Sequence, residues 1–455
     1  MTKQRIAIIG AGFSGLSVLV HLVAATNKPL QILLFERSGQ PGLGAGYGTQ
    51  SPHHLLNVRA GQMGAFADRS DDFFVWLLHN EGYWREQSPY YKHLSISPYG
   101  FLPRHLYGLY LADLLKKTLA QAQTKGIEVE VHPQEIIGAT TTPSESWVLQ
   151  AMDGSQYITD YIVISTGVSP TKRFSFETAQ LIESKRYFHS IWNKAFYTNT
   201  FDCDSVAIIG SGLTAVDALA SLYAAKYPGK ITVISKHGHF PLAHPIHPPV
   251  PLKDFLIDST PKDGIVLLDE IRNLLACGVD WIQLIDTLRP YTSVLWQSSS
   301  KKAKQQFMRH LFSLWNKHRH RMAPENSQMI QNMISSGQLQ VMAGNVQNVE
   351  LLDDQRYNIS YSSGKSFETD CVLNCTGPSY DIVSRMNPLI THLLNTHYIQ
   401  ADEMEMGLKL DKGQYLAGNN SHTIFGIGSL LFGSLFETTA VPDLRQQAST
   451  IASCF

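Results

Sequence analysis

The chain has 455 residues, 44% of them hydrophobic and only 16% charged, with 33 Gly and 21 Pro. At ~100–200 residues per domain this is more than one hydrophobic core holds, and the apolar content excludes a disordered, collagen-like or coiled-coil protein. Lys and Arg number 37 against 38 Asp and Glu, a net charge of −1, so no global basic field exists to hold nucleic acid.

The five Cys (203, 277, 371, 375 and 454) are an odd, scattered set, which suggests neither a disulfide framework nor a zinc site. No apolar run is long enough to span a bilayer. The apolar stretch after Lys3 and Arg5 is too short for a signal peptide. The expectation is a cytoplasmic, multidomain protein that engages neither membrane nor nucleic acid.

In chain order, the first element is a strand, Ile6 to Ile9, running into Gly10-Ala11-Gly12-Phe13-Ser14-Gly15 and an apolar helix. A second strand follows and ends at Phe35-Glu36-Arg37. Strand, Gly-rich turn, helix and strand form the βαβ unit of a dinucleotide fingerprint. Gly10 permits the tight turn, Gly12 lets a pyrophosphate reach the backbone, and Gly15 lets helix and strand approach. The helix N-terminus, with Phe13 and Ser14, offers unpaired N–H groups to the phosphates. Glu36 is placed to accept hydrogen bonds from ribose hydroxyls, with Arg37 beside it. The extra glycines at 42, 44, 46 and 48, ahead of Asn57, assign this copy to the larger cofactor, FAD.

The run Asp160 to Ser165 reads as a buried parallel strand leaving through Thr166-Gly167 at its carboxyl end, where ligands of α/β sheets sit. Then the pattern repeats. Val206 to Ile209 with Gly210-Ser211-Gly212-Leu213-Thr214-Ala215 lies over the first fingerprint at an offset of 210 − 10 = 200, without a gap. The next strand ends at Ser235-Lys236-His237, and 236 − 36 = 200 places Lys236 where the first copy has Glu36. A Lys with a neighbouring hydroxyl suits a 2′-phosphate, which a carboxylate would repel, so the second cofactor is expected to be NADPH.

His237, His239, His244 and His247 crowd a Pro-rich stretch without a Cys or acid at ligand spacing. The expectation is a loop near nicotinamide or substrate, with His247 as the candidate for proton transfer. Apolar helical runs then lie within 265–345, with a basic cluster that reads as a solvated helix face, a cofactor phosphate being the alternative for Arg319 and Arg321. Asp370 to Cys375 followed by Thr376-Gly377 repeats the earlier Thr-Gly strand at an offset of 377 − 167 = 210. Its two cysteines read as buried apolar fillers.

These motifs resemble the two-dinucleotide-binding flavoproteins, which include N-hydroxylating and flavin-containing monooxygenases. The resemblance is closer to the bacterial FAD/NAD(P)-binding proteins of largely unassigned function, a family that includes FAD-dependent urate hydroxylases. It is carried by Gly44-Ala45-Gly46-Tyr47-Gly48-Thr49, Leu56-Asn57-Val58, Pro103-Arg104 and the stretch Glu437 to Gln447. By that resemblance Gly46, Tyr47, Asn57 and Val58 lie beside the flavin. Phe432, Gly433 and Glu437 contribute to the isoalloxazine or ribityl contacts, and Arg104 sits near the flavin or substrate pocket. Asn57 and Arg104 join His247 as candidate catalytic residues. No Cys-x4-Cys pair follows the first fingerprint, which argues against a disulfide reductase.

The fold class expected is α/β, two Rossmann-like dinucleotide-binding domains with the second inserted into the first. The boundaries are an FAD domain at 1–185 and 370–455, an NAD(P)H domain at 186–250 and 336–369, and a mainly helical insertion at 251–335. The function expected is a flavin-dependent NAD(P)H oxidoreductase, a monooxygenase taking a small-molecule substrate and O2. A reductase without oxygen insertion and a non-catalytic dinucleotide sensor are the alternatives. No metal is expected.

Overall fold

The computed structural model describes residues 3–26, 28–247, 249–250, 252, 264–362, 364–383, 387–411, 415–417 and 423–455. The first unit opens with β1 (Gln4–Ile9), α1 (Phe13–Ala25) and β2 (Leu30–Phe35). A long helix, α2 (Arg104–Thr124), crosses over to β3 (Glu128–His132). An antiparallel meander follows, β4 (Ile136–Thr141), β5 (Trp147–Ala151) and β6 (Gln156–Thr159), and then β7 (Tyr161–Ile164).

The second unit holds β8 (Tyr187–Phe188), β9 (Ser205–Ile209), α3 (Leu213–Ala224) and β10 (Lys230–Ser235). Five helices come next: α4 (Gly264–Ala276), α5 (Trp281–Leu288), α6 (Thr292–Ser298), α7 (Lys301–His310) and α8 (Phe312–Arg319). The chain continues through α9 (Pro324–Ser335), β11 (Leu339–Ala343), a second meander, β12 (Val346–Leu351), β13 (Tyr357–Tyr361) and β14 (Lys365–Thr369), and β15 (Cys371–Asn374). It returns to the first unit with β16 (Ile424–Gly426) and α10 (Val441–Ala452).

The first sheet has the order β16-β7-β1-β2-β3 and the second β11-β10-β9-β15-β8. Every pairing in both is parallel. The internal repeat therefore covers four of the five strands in each sheet, the edge strands β16 and β8 coming from unrelated positions in the chain. In each sheet the fingerprint strand is central, between the strand that follows its helix and the Thr-Gly strand. Parallel strands covered on both faces must be apolar throughout, and Ile6, Ala7 and Ile8 are as fully buried as Ala207 and Ile208.

Two of the expected boundaries move. Cys371 pairs with Val206 and Leu373 with Ile208, so β15 belongs to the second sheet and the return to the first unit comes after it, not at 370. The reason is that likeness between the two Thr-Gly strands identifies a repeat, whereas pairing decides which sheet each one completes. At the other end, Ile330 and Met333 of α9 share a core cluster with Leu219 and Leu222 of α3. That makes α9 the crossover helix between β10 and β11, and the insertion ends before it. Cys371 and Cys375 are buried and free.

The insertion docks on both units. Leu242 N–H donates to Lys317 O at 3.0 Å, and Met322 N–H to Leu242 O at 2.8 Å, which ties the His-rich loop to the end of α8. On the first unit, the Trp296 ring stacks on Phe436 with 4.8 Å between centroids. Among the described residues no helix is long and apolar enough to cross a membrane.

Candidate functional site

Both Gly-rich loops are shaped by what a side chain would strike. Gly10 has φ of 97°, and a Cβ there would come within 2.5 Å of Ser165 O; Gly210 has φ of 105° and a Cβ would meet Cys375 O at 2.5 Å. A Cβ at Gly15 would lie 2.0 Å from Gly10 O. The middle glycines differ. Nothing lies within 4 Å of a Cβ built on Gly212, and at Gly12 the nearest atom is Gly44 Cα at 3.4 Å. Helices α1 and α3 begin immediately after these glycines, and no side chain caps either. Their first N–H groups are thus left for an external acceptor. Open space beside uncapped helix ends fits the pyrophosphate of a dinucleotide.

At the end of β2, Glu36 stands against the first loop. Its Oε2 accepts from the Ala11 N–H at 3.0 Å, and its Oε1 from the N–H and hydroxyl of Ser38 at 3.0 and 2.8 Å. A carboxylate offers about four acceptor positions, so capacity remains for ribose hydroxyls. Arg37 instead reaches Glu135 at 3.0 Å with an exposed guanidinium, which makes it a surface ion pair. At the same carboxyl end of the sheet, after β7, Gly167 O accepts from the Ser429 hydroxyl at 2.5 Å. Gly428 lies over the start of α1, where its Cβ would meet Ser14 Oγ at 3.3 Å.

A cavity of about 520 Å³ lies between the two units. Its walls bring together Gly210, Gly212, Leu213 and Thr214 from the second loop, Ser235 and Lys236 from the end of β10, and Thr376 and Gly377 after β15. Phe432 and Glu437 arrive from the first unit. Ten expected cofactor residues from four separate stretches thus meet at one place. Ser211 braces the loop, its hydroxyl donating to His239 O at 2.6 Å and lying 2.9 Å from the Ser235 hydroxyl, which can donate to it.

The opposite wall is one that sequence reasoning missed. Phe312, Asn316, Lys317 and His320, on and just after α8, line the cavity with Tyr380 and Phe436. Tyr380 stacks on Phe432 with 4.3 Å between centroids. Behind them Arg319 and Glu437 form an ion pair at 2.8 Å with side chains only 11% and 10% exposed. Burial alone would raise the Glu437 carboxyl, but Arg319, His320 and the Trp315 indole N–H, donating at 2.9 Å, outweigh it and hold the group below its ordinary value. Burial, reinforced by Arg319 and Arg289 against the attraction of Glu437, pushes His320 down to about 4. Arg321 pairs with Asp286. Arg319 and Arg321 are thus each matched to an acid, Glu437 and Asp286. A second cavity, also of about 520 Å³, shares Glu437 and adds Gln62, Asp286, Arg289, Asp443 and Arg445.

The candidate catalytic residues fall elsewhere. Arg104 opens α2 and pairs with Asp217 of α3 at 3.0 Å, with side chains 17% and 4% exposed, while its Nε donates to Leu55 O at 3.2 Å. This is an ion pair between the units, not a free cation beside the cavity. Desolvation lifts the Asp217 carboxyl to about 6, with Arg104 opposing. Next to it His54 Nδ1 and Nε2 hydrogen-bond Thr49 Oγ1 at 2.9 Å and Ser221 Oγ at 2.7 Å. Asn57 contributes its carbonyl, at 3.0 Å from His244 Nε2. Arg59 donates to Pro245 O at 2.8 Å. His247 is exposed and is not among the cavity's lining residues. His237 and His239 are in the lining. Among the described residues no cluster of three or more His, Cys, Asp or Glu is arranged to hold a metal.

Two expected flavin residues are engaged by protein. Gly433 packs on Asp402, where a Cβ would lie 2.0 Å from Oδ2, and its carbonyl accepts from the Trp296 indole at 2.7 Å. Tyr47 sits edge-on to Tyr107 with 4.7 Å between centroids, and burial raises its phenol to about 12. Gly46 has open space around it. Val58 packs against the first core.

Residues 7–169 match the family described as FAD-NAD(P)-binding. No curated protein matches the chain. Among solved structures the fold is that of an ornithine N-hydroxylase from Kutzneria sp. 744, at TM-score 0.65 and 16% identity over 100% of this chain and 99% of that one. An L-lysine 6-monooxygenase from Pseudomonas syringae aligns at TM-score 0.62 and 15% identity over 100% and 99%. A bacillithiol disulfide reductase from Bacillus cereus aligns at TM-score 0.55 and 15% identity over 100% and 98%. The α/β architecture of two Rossmann-like units is thus shared with flavin monooxygenases and with a reductase.

Proposed function

We propose that the chain is an FAD-dependent NADPH oxidoreductase that hydroxylates a small molecule with O2. The observation that carries the reading is the cavity between the units, where the second fingerprint, Lys236 and the Thr376-Gly377 exit face Phe432 and Glu437 from the FAD-NAD(P)-binding unit. A nicotinamide site opening toward the first unit is what transfer between two such cofactors requires. The monooxygenases among the structures sharing the fold favour oxygen insertion. The second loop lacks a Cys-x4-Cys counterpart, as does the first.

The chain's own part is orientation and exclusion of water. Uncapped N–H groups at the start of α1 and α3 hold pyrophosphate oxygens. Glu36 accepts from the ribose of FAD, and Lys236 with Ser235 meets the 2′-phosphate of NADPH. Phe312, Tyr380, Phe432 and Phe436 set apolar rings among the polar Asn316, Lys317 and His320, and Glu437 in the lining is held ionised. When bound, the flavin supplies hydride acceptance and the reaction with O2.

Anaerobic mixing of the FAD-loaded protein with NADPH tests the reading. Rapid loss of visible flavin absorbance is expected, followed, once a substrate is found, by label from O2 in the organic product. No loss of absorbance leaves a dinucleotide-binding protein that does not turn over. Reduction with no labelled product from any turned-over substrate makes it a reductase. Glu36→Arg should weaken FAD binding by placing a cation where ribose needs an acceptor.

A further inference from the structure

Helix α3 begins at the second fingerprint, so whatever fixes this helix also fixes the nicotinamide site. Asp217 and Ser221 are four residues apart and share one face of it, one turn apart. Both meet side chains of the first unit: Asp217 meets Arg104 at 3.0 Å, and Ser221 meets His54 at 2.7 Å. The partners are themselves anchored. Arg104 N–H donates to His54 O at 2.7 Å and its Nε to Leu55 O at 3.2 Å. His54 is tied to Thr49 at 2.9 Å. Along the same segment Asn57 O and Arg59 hold His244 and Pro245 from the second unit, at 3.0 and 2.8 Å. Four of the first unit's anchors, Thr49, His54, Asn57 and Arg59, lie within residues 49–59, and Phe101 adds a ring contact to His244 with 4.6 Å between centroids.

We propose that Arg104 and His54, closing on Asp217 and Ser221 of α3, are positioning residues that set the nicotinamide site at its working distance from the flavin. The inference rests on the two-cofactor reading. It assigns Arg104 a role through another element and none in the chemistry. A buried ion pair suits this task because its geometry is narrow and its partners cannot be re-satisfied by water when the units slide. A rigid seam matters because misplacement by about 1 Å can cost on the order of 100-fold in rate.

The test uses the full-length FAD-loaded protein with a spin label on the exposed Cys454 of the first unit and a second on Ser335→Cys at the end of α9, in a Cys277→Ser background. Distance distributions are recorded by pulsed electron resonance for this parent and for the parent carrying Asp217→Asn, Ser221→Ala or Arg104→Lys. Flavin reduction is measured anaerobically at saturating NADPH. The expected result is a narrow distance in the parent, broadened by Asp217→Asn and less by Ser221→Ala. The reduction rate should fall on the order of 10- to 100-fold in Asp217→Asn while the NADPH dissociation constant moves less than about threefold, and Arg104→Lys should be intermediate. A merely structural role would change FAD retention and not that split. Unchanged distances in folded Asp217→Asn overturn the proposal, including when reduction slows, because Arg104 would then act on cofactor directly. A parent flavin that NADPH does not reduce sinks the two-cofactor reading, and the distances alone then decide the seam. Ser221→Ala is the milder probe if Asp217→Asn fails to fold.

Discussion

Arg319 and Glu437 face each other at 2.8 Å between the cavity wall and the interior, one from the helical insertion and one from the returning C-terminal segment. They join two parts of the chain that the second Rossmann unit separates in sequence. The pair costs desolvation of both charges, and its worth lies in each being unable to stand alone.

Glu437→Gln is expected to lower unfolding stability by about 3–5 kcal/mol, because it leaves the Arg319 guanidinium buried without its anion. Arg319→Met combined with Glu437→Met should recover most of that loss. Urea unfolding of the FAD-loaded protein measures both. A single variant as stable as the parent would show that the pair is solvated.

The two glycines of the second fingerprint should respond differently to alanine. At Gly210 the positive φ and the 2.5 Å approach to Cys375 O leave no room, so Gly210→Ala should fold poorly or not at all. At Gly212 the space is open, so Gly212→Ala should fold with a normal flavin spectrum and bind NADPH more weakly. Calorimetric titration against a thermal melt separates the two. Equal behaviour would deny the phosphate reading of Gly212.

Lys236 ends up exposed on the cavity rim beside Ser235, as needed to meet a 2′-phosphate. A charge-assisted bond of about 1.5–3 kcal/mol gives NADPH a preference of roughly ten- to a hundred-fold over NADH. Lys236→Glu should abolish or reverse it while the flavin spectrum stays unchanged. Equal catalytic efficiency with both coenzymes in the parent would refute the assignment.

The seam should be sensitive to mildly acidic pH. Asp217, lifted to about 6 chiefly by burial, faces Arg104, Tyr197 and Cys375, with His54 one turn away. Burial and Arg104 push His54 down to about 4, and burial and Arg321 do the same for His244, so both stay neutral across this range. Burial raises Tyr197 to about 12 and Cys375 well above its ordinary value, so neither titrates here. For a carboxyl whose folded value lies above its unfolded 3.8, the stability contribution is fully present below 3.8 and is lost as pH rises through about 6, on the order of 3 kcal/mol in all. Acid therefore favours the neutral group and breaks the ion pair without unfolding this region. The flavin reduction rate should fall as pH drops through about 6, and Asp217→Asn should flatten that limb. A parent profile that is flat from 7 to 5, outside any change in NADPH affinity, would contradict it.

By itself, the sequence determined the two fingerprints, the 200-residue offset and the two Thr-Gly strands, because backbone constraints write themselves locally. Only glycine satisfies φ near 100° at positions 10 and 210, and only apolar runs suit strands covered on both faces. Eight of the ten cavity residues were legible from that repeat, whereas Phe432 and Glu437 were named only through the resemblance to flavoproteins. Tertiary structure decided the rest. Which sheet β15 completes depends on pairing with β9, and no local signal encodes it. Arg104 was visible as a residue of interest, but its partner Asp217 lies 217 − 104 = 113 residues away on a helix face, and only the docking of the units brings the charges together. The basic cluster around Arg319 and Arg321 was likewise visible without its acids, Glu437 and Asp286, and read as a solvated helix face where the structure buries both guanidiniums. The wall from α8 carried no motif at all: Phe312, Asn316 and His320 sit at spacings of four residues, ordinary for any helix, and they face the cavity only because Trp296 and its neighbours seat the insertion on Phe432 and Phe436.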